Sequence, residues 1–399
     1  MKNQIEKLYA ISRKKERRII GLMSGTSLDG LDIALCRIKN AGVQTKLVLE
    51  QFYTYEYKDE YRKNIKKIFS KRQVDLQTLT GLHAWVGDYH ASAVLEALKH
   101  WNISPNEIDA IASHGQTVFH APQRLTQDFI FPDSTLQIGD GDHIAVKTGI
   151  LTFSDFRQKH LAAGGEGAPL AAYGDQLLFA DDSEFRILLN IGGIANFTFL
   201  PSKNSGQKAF ATDVGPGNTL MNSYMHRHFG KTMDRDAQLA QKGVLHPHLL
   251  KALLSHPFFQ ENFPKTTGPE LFSLDYLDEC LSKSNSASLP HEDVMRTLCT
   301  FSATSIADSI KQSFSSNSQK LSVYISGGGL HNPLLLSEIQ KLLAESAEVY
   351  SFEKLGLDPD AKEATLFALL ANETLSGYAT DYGILDSPNV LMGKISLSL

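Results

Sequence analysis

The chain has 399 residues, of which 42% are hydrophobic and 21% are charged, and its formal net charge is -5. This composition is typical of a globular enzyme of about two domains, and the absence of a basic surplus argues against a nucleic-acid-binding protein. The three cysteines have no paired spacing, so the sequence indicates neither a disulfide framework nor a zinc site. The sequence lacks an uninterrupted apolar stretch of about 20 residues. Its charged first seventeen residues lack the apolar centre of a secretory signal, so we expect a cytoplasmic protein that does not contact a membrane.

A hairpin is predicted near the N-terminus, where two apolar segments flank the polar turn Ser24–Ser27. Gly25 and Gly30 would let a phosphate come close to backbone N–H groups, and the hydroxyl groups of the turn add donors. Asp29 and Asp32 would repel a bare phosphate, so they suit a phosphate that is bound through a divalent cation or water. Taken alone, the loop is equally compatible with a simple turn.

The next segments predict a strand, a helix with one buried face and a short buried strand, at residues 46–55, 79–98 and 108–113. The last of these strands ends in His114-Gly115-Gln116-Thr117. Polar strand ends that contain glycine hold ligand groups in open α/β sheets. His114 and His120 do not have a helical metal-binding spacing, which favours a hydrogen-bonded loop histidine over a metal ligand.

A glycine-rich loop follows a further predicted strand at residues 150–157. It spans residues 162–170 and contains three glycines together with Glu166 and Pro169. Glycine at this density between apolar flanks favours a binding loop over a linker.

A second hairpin with a glycine turn is predicted at residues 187–200, about 170 residues after the first. The repetition predicts a duplicated fold in which both turns bind one nucleotide. Asp213 then stands at a strand end before a Gly-Pro-Gly turn, where it either caps the turn or acts as a base between the two phosphate loops. Residues 321–329 predict a buried strand that ends in three glycines, whose flat backbone could contact a base or ribose.

Two phosphate hairpins followed by a glycine turn for adenosine resemble the superfamily of actin, the sugar kinases and the heat-shock chaperones. Five segments narrow this resemblance to the anhydro-N-acetylmuramic acid kinase family: Gly21–Asp32, Ser113–Thr117, Gly164–Leu170, Asn190–Asn196 and Asp213–Asn218. The resemblance runs from about Arg18 to the C-terminus. It implies ATP-dependent opening and phosphorylation of 1,6-anhydro-N-acetylmuramic acid, which gives N-acetylmuramic acid 6-phosphate in the recycling of cell-wall sugars.

The fold implied by the resemblance is α/β, with two ribonuclease-H-like domains whose mixed sheets are flanked by helices and with nucleotide and sugar in the cleft between them. We expect the first domain at residues 1–150, including an N-terminal extension at 1–17, with the C-terminal segment as a candidate addition. The second domain, with the adenosine-binding turn, is expected at residues 151–399. A homodimer is expected, with a small amino sugar as the binding partner.

The resemblance and the glycine turns together predict the site. The family's catalytic aspartate corresponds to Asp213, and ATP and Mg²⁺ are the expected cofactors, without a cluster of protein metal ligands. The expected nucleotide-binding residues are Gly25, Thr26, Ser27, Leu28, Asp29, Gly30, Leu31, Asp32, Gly192, Gly193, Asn196, Gly327, Gly328, Gly329 and Asn332. The expected substrate-binding residues are Gln116, Thr117, Arg157, Lys159, Glu166, Pro169, Asn218 and Glu363.

The chain departs from the family pattern at three places. Asp155–His160 reads Asp-Phe-Arg-Gln-Lys-His where the family often has Asp-Phe-Arg-Arg-Arg-Asp, Glu166 replaces a common glutamine, and Pro269 replaces a common arginine. The first two departures lie where the lactyl carboxylate of the sugar is expected, and a glutamate there adds like charge. The alternatives are a kinase for another sugar or sugar acid, and a switch ATPase of the actin or chaperone kind.

Overall fold

The structure is a computed structural model that describes residues 2–127, 129–314, 320–377 and 381–398. Its strands are β1 (Glu16–Ser24), β2 (Gly30–Lys39), β3 (Lys46–Glu56), β4 (Ala110–Ala121), β5 (Ser134–Ile138), β6 (Thr152–Ser154), β7 (Phe185–Ile191), β8 (Ile194–Leu200), β9 (Phe210–Pro216), β10 (Leu321–Ser326), β11 (Glu348–Ser351) and β12 (Lys394–Ser396). Its α-helices are α1 (Lys2–Ser12), α2 (Asp59–Ile65), α3 (Leu76–Trp101), α4 (Gln123–Thr126), α5 (Gly141–Thr148), α6 (Phe156–Ala162), α7 (Ala171–Phe179), α8 (Thr219–Phe229), α9 (Pro247–Leu254), α10 (Leu274–Lys283), α11 (His291–Ser313), α12 (Pro333–Leu343) and α13 (Lys362–Ser376). Among the described residues, none of these helices is long and apolar enough to cross a membrane.

The chain divides into two compact units, and the division differs from the predicted domain boundary. Unit 1 consists of Met1–Leu178 and Asp360–Leu399, and unit 2 consists of Phe179–Pro359. The boundary expected between residues 150 and 151 falls inside unit 1, because β6 pairs in parallel with β4 and β12 pairs with β6. Residues expected in the second domain therefore complete the sheet of the first, and the C-terminal segment belongs to unit 1.

The sheet of unit 1 has the strand order β3-β2-β1-β4-β6-β12, with β5 paired to β4. Strands β1, β2 and β3 are antiparallel neighbours, whereas β4 runs parallel to β1 and to β6. Helix α13 packs directly on β1 at Gly21, where an added Cβ would lie 1.8 Å from the carbonyl oxygen of Ala364. A glycine at this position lets the helix backbone approach the strand closely.

The sheet of unit 2 repeats this arrangement with the order β9-β8-β7-β10-β11. Its first three strands are again antiparallel neighbours, and β10 is parallel to β7 and β11. The five neighbouring strands β3-β2-β1-β4-β6 of unit 1 therefore match β9-β8-β7-β10-β11 of unit 2, and in each set only the second strand along the chain runs in the reverse direction. This is the ribonuclease-H-like topology, so the predicted fold class and its duplication are confirmed.

Two local predictions in unit 1 need correction. Strand β4 does not end at His114 but continues to Ala121, because residues 116–121 pair with β5. The strand predicted at residues 150–157 is shorter, because β6 ends at Ser154 and helix α6 begins at Phe156. The predicted helix at residues 79–98 is confirmed within α3, whose first turn is capped by Asp75.

Candidate active site

The first glycine loop joins β1 to β2 in unit 1. Thr26, Ser27 and Asp29 are exposed, as a ligand-binding loop requires. The side chains of Leu28 and Leu31, by contrast, are buried in the hydrophobic core, at 3% and 0% exposure. These two leucines therefore offer a nucleotide only their backbone groups, and their expected role in nucleotide binding stays a prediction.

The two predicted phosphate glycines in this loop have different surroundings. An added Cβ at Gly30 would lie 2.8 Å from both the Thr54 methyl carbon and the Tyr55 carbonyl oxygen, so this glycine is required by the neighbouring strand β3. At Gly25 an added Cβ would contact only the Ser27 hydroxyl, at 3.5 Å. Gly25 is therefore the glycine whose space the protein itself does not fill.

A cluster of charged side chains lies beside this loop, near the beginnings of β2 and α13. The Asp32 carboxylate accepts a hydrogen bond from the Thr54 hydroxyl at 2.7 Å. Burial raises the pKa of the Glu363 carboxyl group. The positive charges of Lys362 and Arg157 oppose this rise, and the negative charges of Asp32 and Asp175 add to it. Lys362 in turn forms an ion pair with Asp175 at 2.9 Å. The predicted residues Asp32, Arg157 and Glu363 thus act on one another electrostatically within unit 1.

Gln116 and Thr117 lie on β4, and both side chains are used inside the protein. Gln116 is fully buried, and its amide oxygen accepts the Ser24 hydroxyl at 2.6 Å while its amide nitrogen donates to the Gly25 carbonyl at 3.2 Å. The Thr117 hydroxyl accepts the side-chain amide of Gln137 at 3.1 Å. Gln116 therefore supports the first glycine loop from inside, and its expected contact with the substrate stays a prediction.

Arg157 holds the glycine-rich loop of unit 1 from helix α6. Its Nε donates to His114 Nε2 at 3.0 Å, and its Nη1 donates to the Gly167 carbonyl at 2.7 Å. Burial, followed by the positive charge of Arg157, lowers the pKa of His114 well below its usual range. The predicted loop histidine is thus a neutral acceptor that positions the guanidinium group.

His160, one of the departures from the family pattern, is a buried residue of α6 that contacts the same loop. Its Nδ1 accepts the N–H of Gly167 at 3.0 Å, and an added Cβ at Gly165 would lie 2.1 Å from its ring. Burial, then Arg157, lowers the pKa of His160 to about 4, while Glu166 opposes them. The predicted residues Lys159 and Pro169 are exposed, and Glu166 is half-buried.

The second glycine turn joins β7 to β8 in unit 2 and is tied to the turn after β9. The Gly193 carbonyl accepts the N–H groups of Gly217 and Thr219 at 2.8 and 3.1 Å. Asn218 donates to the Gly192 carbonyl through its backbone at 2.9 Å and through its side-chain amide at 3.1 Å. The side chain expected to bind substrate therefore fixes the glycine turn.

Asp213 lies on β9 opposite Asn196, next to a β-bulge that shifts the register between Ala195 and Asn196. Its backbone N–H donates to the Lys265 carbonyl at 3.0 Å, and its Oδ2 accepts the N–H of Thr267 at 2.9 Å. Bulges change the direction of side chains and are frequent beside active sites. The carboxylate predicted to be the base is thus held in one orientation by the 265–267 loop.

Sequence reasoning missed the residues that build this support. The Thr212 hydroxyl donates to the Lys265 carbonyl at 3.1 Å and accepts the Lys265 N–H at 3.0 Å. The buried Lys265 ammonium donates to the Phe258 carbonyl at 3.0 Å and lies 4.5 Å from the Phe258 ring centroid. A lysine in a proline- and glycine-containing loop was the only signal in the sequence, and it does not reveal which strand the loop contacts.

The triple-glycine turn follows β10, next to the second hairpin. Added Cβ atoms would lie 2.5 Å from Asn190 Oδ1 at Gly327 and 2.3 Å from the Ile191 side chain at Gly329, whereas nothing lies within 4 Å at Gly328. Two of the three glycines are thus required by packing within unit 2, and Gly328 has open space in front of it. Asn332, which is expected to contact the nucleotide, caps α12 because its side-chain oxygen accepts the Leu335 N–H at 3.0 Å.

Two further observations concern binding sites in the described residues. Among these residues, we find no group of three or more histidine, cysteine, aspartate or glutamate side chains that could hold a metal ion.

A cavity of about 640 Å³ in unit 2 is lined by residues of α8 and of the 230–242 segment. None of the predicted site residues lines this cavity.

The fold and its glycine turns define the class of protein. A pair of ribonuclease-H-like units, each with a glycine turn in its first hairpin, places the chain in the superfamily of actin, the sugar kinases and the heat-shock chaperones. A family model described as anhydro-N-acetylmuramic acid kinase matches residues 17–382. The chain belongs to the anhydro-N-acetylmuramic acid kinase family.

Similar proteins span almost the entire chain. It is 53% identical to the anhydro-N-acetylmuramic acid kinase of Pseudoalteromonas atlantica, over 99% of both chains. It is 48% identical to that of Pseudoalteromonas translucida, over 100% of both chains. It is 37% identical to that of Caldanaerobacter subterraneus subsp. tengcongensis, over 98% of this chain and 100% of the relative. The resemblance found in the sequence is thereby confirmed.

Proposed function

We propose that this protein is an ATP-dependent kinase that opens 1,6-anhydro-N-acetylmuramic acid with water and phosphorylates its O6. Water forms a bond to C1, the C1–O6 bond breaks, and O6 takes the γ-phosphoryl group of ATP as the bond to ADP breaks. The products are N-acetylmuramic acid 6-phosphate and ADP, and the water proton passes to a base and then to solvent. Membership of the kinase family carries this proposal.

Asp213 is the proposed base that takes the proton from the attacking water. Its support is the fixed orientation of the carboxylate, which accepts the Thr267 N–H while its own backbone is bound to Lys265. The leaving oxygen needs no separate acid, because the phosphoryl group captures it.

Transfer of the phosphoryl group depends mainly on positioning and on neutralisation of charge. The backbone N–H groups of the two glycine turns are the proposed phosphate ligands, and the open face at Gly328 suits the adenosine portion. Asp29 and Asp32 would hold Mg²⁺, and their carboxylate oxygens suit an ion that binds through one or two carboxylates together with phosphates and water. When bound, the ion would neutralise charge on the phosphates.

The sugar acid is the proposed partner of the Arg157 loop. Two N–H groups of Arg157 are committed to His114 and Gly167, which fixes the plane of the guanidinium group. A fixed guanidinium is suited to a carboxylate such as the lactyl group, and the exposed Lys159 would add positive charge. Glu363 is the proposed second carboxylate of the site, and burial raises the pKa of this group above its usual value. The cytoplasmic location and the homodimer stay predictions.

One assay tests the proposal and separates it from the alternatives. ATP consumption is measured with 1,6-anhydro-N-acetylmuramic acid, with a panel of hexoses and hexose acids, and without any sugar. We expect turnover with the anhydro sugar alone, and in ¹⁸O-water we expect the label at C1 of the product and not in the phosphoryl group. Preference for a different sugar, slow ATP hydrolysis that sugar does not change, or labelled inorganic phosphate would each contradict it.

A further inference from the structure

A buried polar network lies in unit 1 below the first glycine loop. Its members are at most 2% exposed, and they are Ser24, Tyr57, Tyr61, His90 and Gln116. Ser24 ends β1, Tyr57 follows β3, and the other three lie on α2, α3 and β4. Five segments of the chain thus bring polar groups to one point, where apolar side chains would fill the space without the cost of desolvation. This convergence calls for a role that hydrophobic packing could not perform.

The hydrogen bonds of the network run in one direction. The Tyr57 hydroxyl donates to Ser24 Oγ at 2.7 Å, and the Ser24 hydroxyl donates to Gln116 Oε1 at 2.6 Å. Because Tyr57 uses its only proton on Ser24, His90 Nε2, 3.0 Å away, must be the donor to Tyr57. Burial lowers the pKa of His90 to about 3, so the ring is neutral and carries one proton. Because Nε2 donates to Tyr57, that proton is on Nε2. The main line of donors therefore runs from His90 through Tyr57 and Ser24 to Gln116. The Tyr61 hydroxyl joins it from the side, 3.3 Å from His90 Nε2 and 3.5 Å from Gln116 Oε1, to which it donates.

The network ends on the backbone of the first glycine loop. Gln116 Nε2 donates to the carbonyl oxygen of Gly25 at 3.2 Å. The peptide bond between Gly25 and Thr26 is trans, since the cis bonds among the described residues precede Pro169 and Pro264. In a planar trans peptide the C=O and N–H groups point in opposite directions. A carbonyl drawn towards Gln116 therefore turns the N–H of Thr26 away from the interior, and Thr26 is exposed.

Side-chain packing does not fix this peptide. An added Cβ at Gly25 would meet only Ser27 Oγ, at 3.5 Å, and glycine rotates more freely about its backbone bonds than any other residue. Without the bond from Gln116, the peptide could turn its carbonyl outward and present an oxygen to an incoming phosphate. The orientation of the loop thus depends on a hydrogen bond that the network itself orients.

We infer that Tyr57, His90 and Gln116 are positioning residues, which orient the Gly25–Thr26 peptide so that the Thr26 N–H faces a nucleotide phosphate. This inference rests on the proposed binding of ATP at the first glycine loop. It assigns Gln116 to the loop rather than to the sugar. In this role the network acts through the backbone of the loop, so its effect falls on phosphate binding.

The first test compares two network variants with a matched control. Tyr57→Phe removes the donor to Ser24, Gln116→Met removes the bond to the Gly25 carbonyl, and Tyr89→Phe is the control. Tyr89 belongs to the same ring cluster, with its centroid 5.8 Å from that of Tyr57, but its hydroxyl contacts neither Ser24 nor Gln116 in the described structure. Calorimetry measures the Kd for ATP and for adenosine in each folded variant.

We expect the Kd for ATP to rise about threefold in Tyr57→Phe and about tenfold or more in Gln116→Met. The Kd for adenosine, which has no phosphate, should stay within twofold, and Tyr89→Phe should bind both ligands as the wild type does. Equal loss of ATP and adenosine affinity would indicate a general structural role and overturn the inference. Unchanged ATP affinity in Gln116→Met would overturn it as well.

A second test needs no variant. Amide hydrogen exchange of the wild-type protein should show an exposed Thr26 N–H that becomes protected when ATP binds and stays unprotected with adenosine. A Thr26 amide that ATP does not protect would overturn the inference even if ATP binds normally. Wild-type protein that fails to bind ATP at all would instead overturn the proposed function, so the two failures are distinguishable.

Discussion

Gly21 and Gly25 lie four residues apart in the first hairpin, and the structure assigns them opposite reasons for being glycine. At Gly21 an added Cβ would lie 1.8 Å from the Ala364 carbonyl oxygen and 3.0 Å from the Ala368 backbone nitrogen. At Gly25 the nearest atom to an added Cβ would be Ser27 Oγ at 3.5 Å, an ordinary contact. The variants Gly21→Ala, Gly25→Ala and Gly25→Val separate packing of the protein from space reserved for a ligand.

The expected cost at Gly21 follows from these distances. Strand β1 and helix α13 must separate by about 1.2 Å to restore a 3.0 Å contact, and neither backbone can rotate out of the way as a side chain could. Overpacking of this kind costs about 3 kcal/mol, which for a unit of about 200 residues lowers the Tm by about 6–12 °C. Gly25→Ala and Gly25→Val should change the free energy of unfolding by less than about 0.5 kcal/mol, a Tm shift below about 2 °C.

The affinity for ATP should show the opposite pattern, with the larger effect at Gly25. A Cβ at Gly25 occupies the space proposed for phosphate, so Gly25→Val should raise the Kd for ATP at least about tenfold, with a smaller rise in Gly25→Ala. Differential scanning calorimetry gives the Tm values, and titration calorimetry on the folded variants gives the Kd values. The reasoning is refuted if Gly21→Ala is as stable as the wild type, or if Gly25→Val is folded and binds ATP with wild-type affinity.

Three further predictions concern the base, the acid stability and the sugar. Asp213→Asn keeps the size of the side chain but removes the base, so kcat should fall by about two to four orders of magnitude while the Kd values for ATP and sugar change far less. His160 has its pKa lowered to about 4, so between pH 6.5 and 4 the unfolded chain binds a proton that the folded protein does not. The free energy of unfolding should therefore decrease as the pH falls, and His160 should account for about 2 kcal/mol of this decrease between pH 7 and 5. Urea unfolding of His160→Gln should show a pH dependence that is smaller by this amount. Glu166→Gln removes like charge next to the proposed carboxylate site, so steady-state kinetics should show a lower KM for the anhydro sugar acid and an unchanged KM for ATP.

Each of these predictions has a contradicting result. Near wild-type kcat in Asp213→Asn would exclude this carboxylate as the base. An identical pH dependence in His160→Gln and the wild type would mean that the buried imidazole does not contribute. An unchanged or higher sugar KM in Glu166→Gln would place the lactyl carboxylate away from this loop.

Local sequence patterns determined the elements that carry the site. Alternating and continuous apolar runs around Ser24–Ser27 and Gly192–Gly193 specify two hairpins, because short-range hydrophobic periodicity and glycine set the local backbone. The same reasoning placed Asp213 on a strand before a sharp turn, and the order of the motifs identified the family. These features depend on neighbours within a few residues, so they can be read from one chain.

The partners of those elements depended on contacts between distant segments. The sheet of unit 1 takes β6 and β12 from outside the predicted first domain, because strand pairing satisfies backbone hydrogen bonds across any distance in the sequence. Asp213 is positioned by Thr267, which lies more than fifty residues later in the chain. The sequence around either residue does not indicate this hydrogen bond.

The uses of identical residue types were decided only by the tertiary structure. Gly21, Gly25 and Gly30 are indistinguishable in the sequence, yet one accommodates a helix, one accommodates a neighbouring strand, and Gly25 alone has open space. Gln116 and Asn218 are expected from the sequence to bind substrate, and in the structure both donate to backbone carbonyl groups of the glycine turns. The physical reason is that the sequence specifies which groups can donate, accept or give room, whereas the packed fold decides which atom stands opposite each of them.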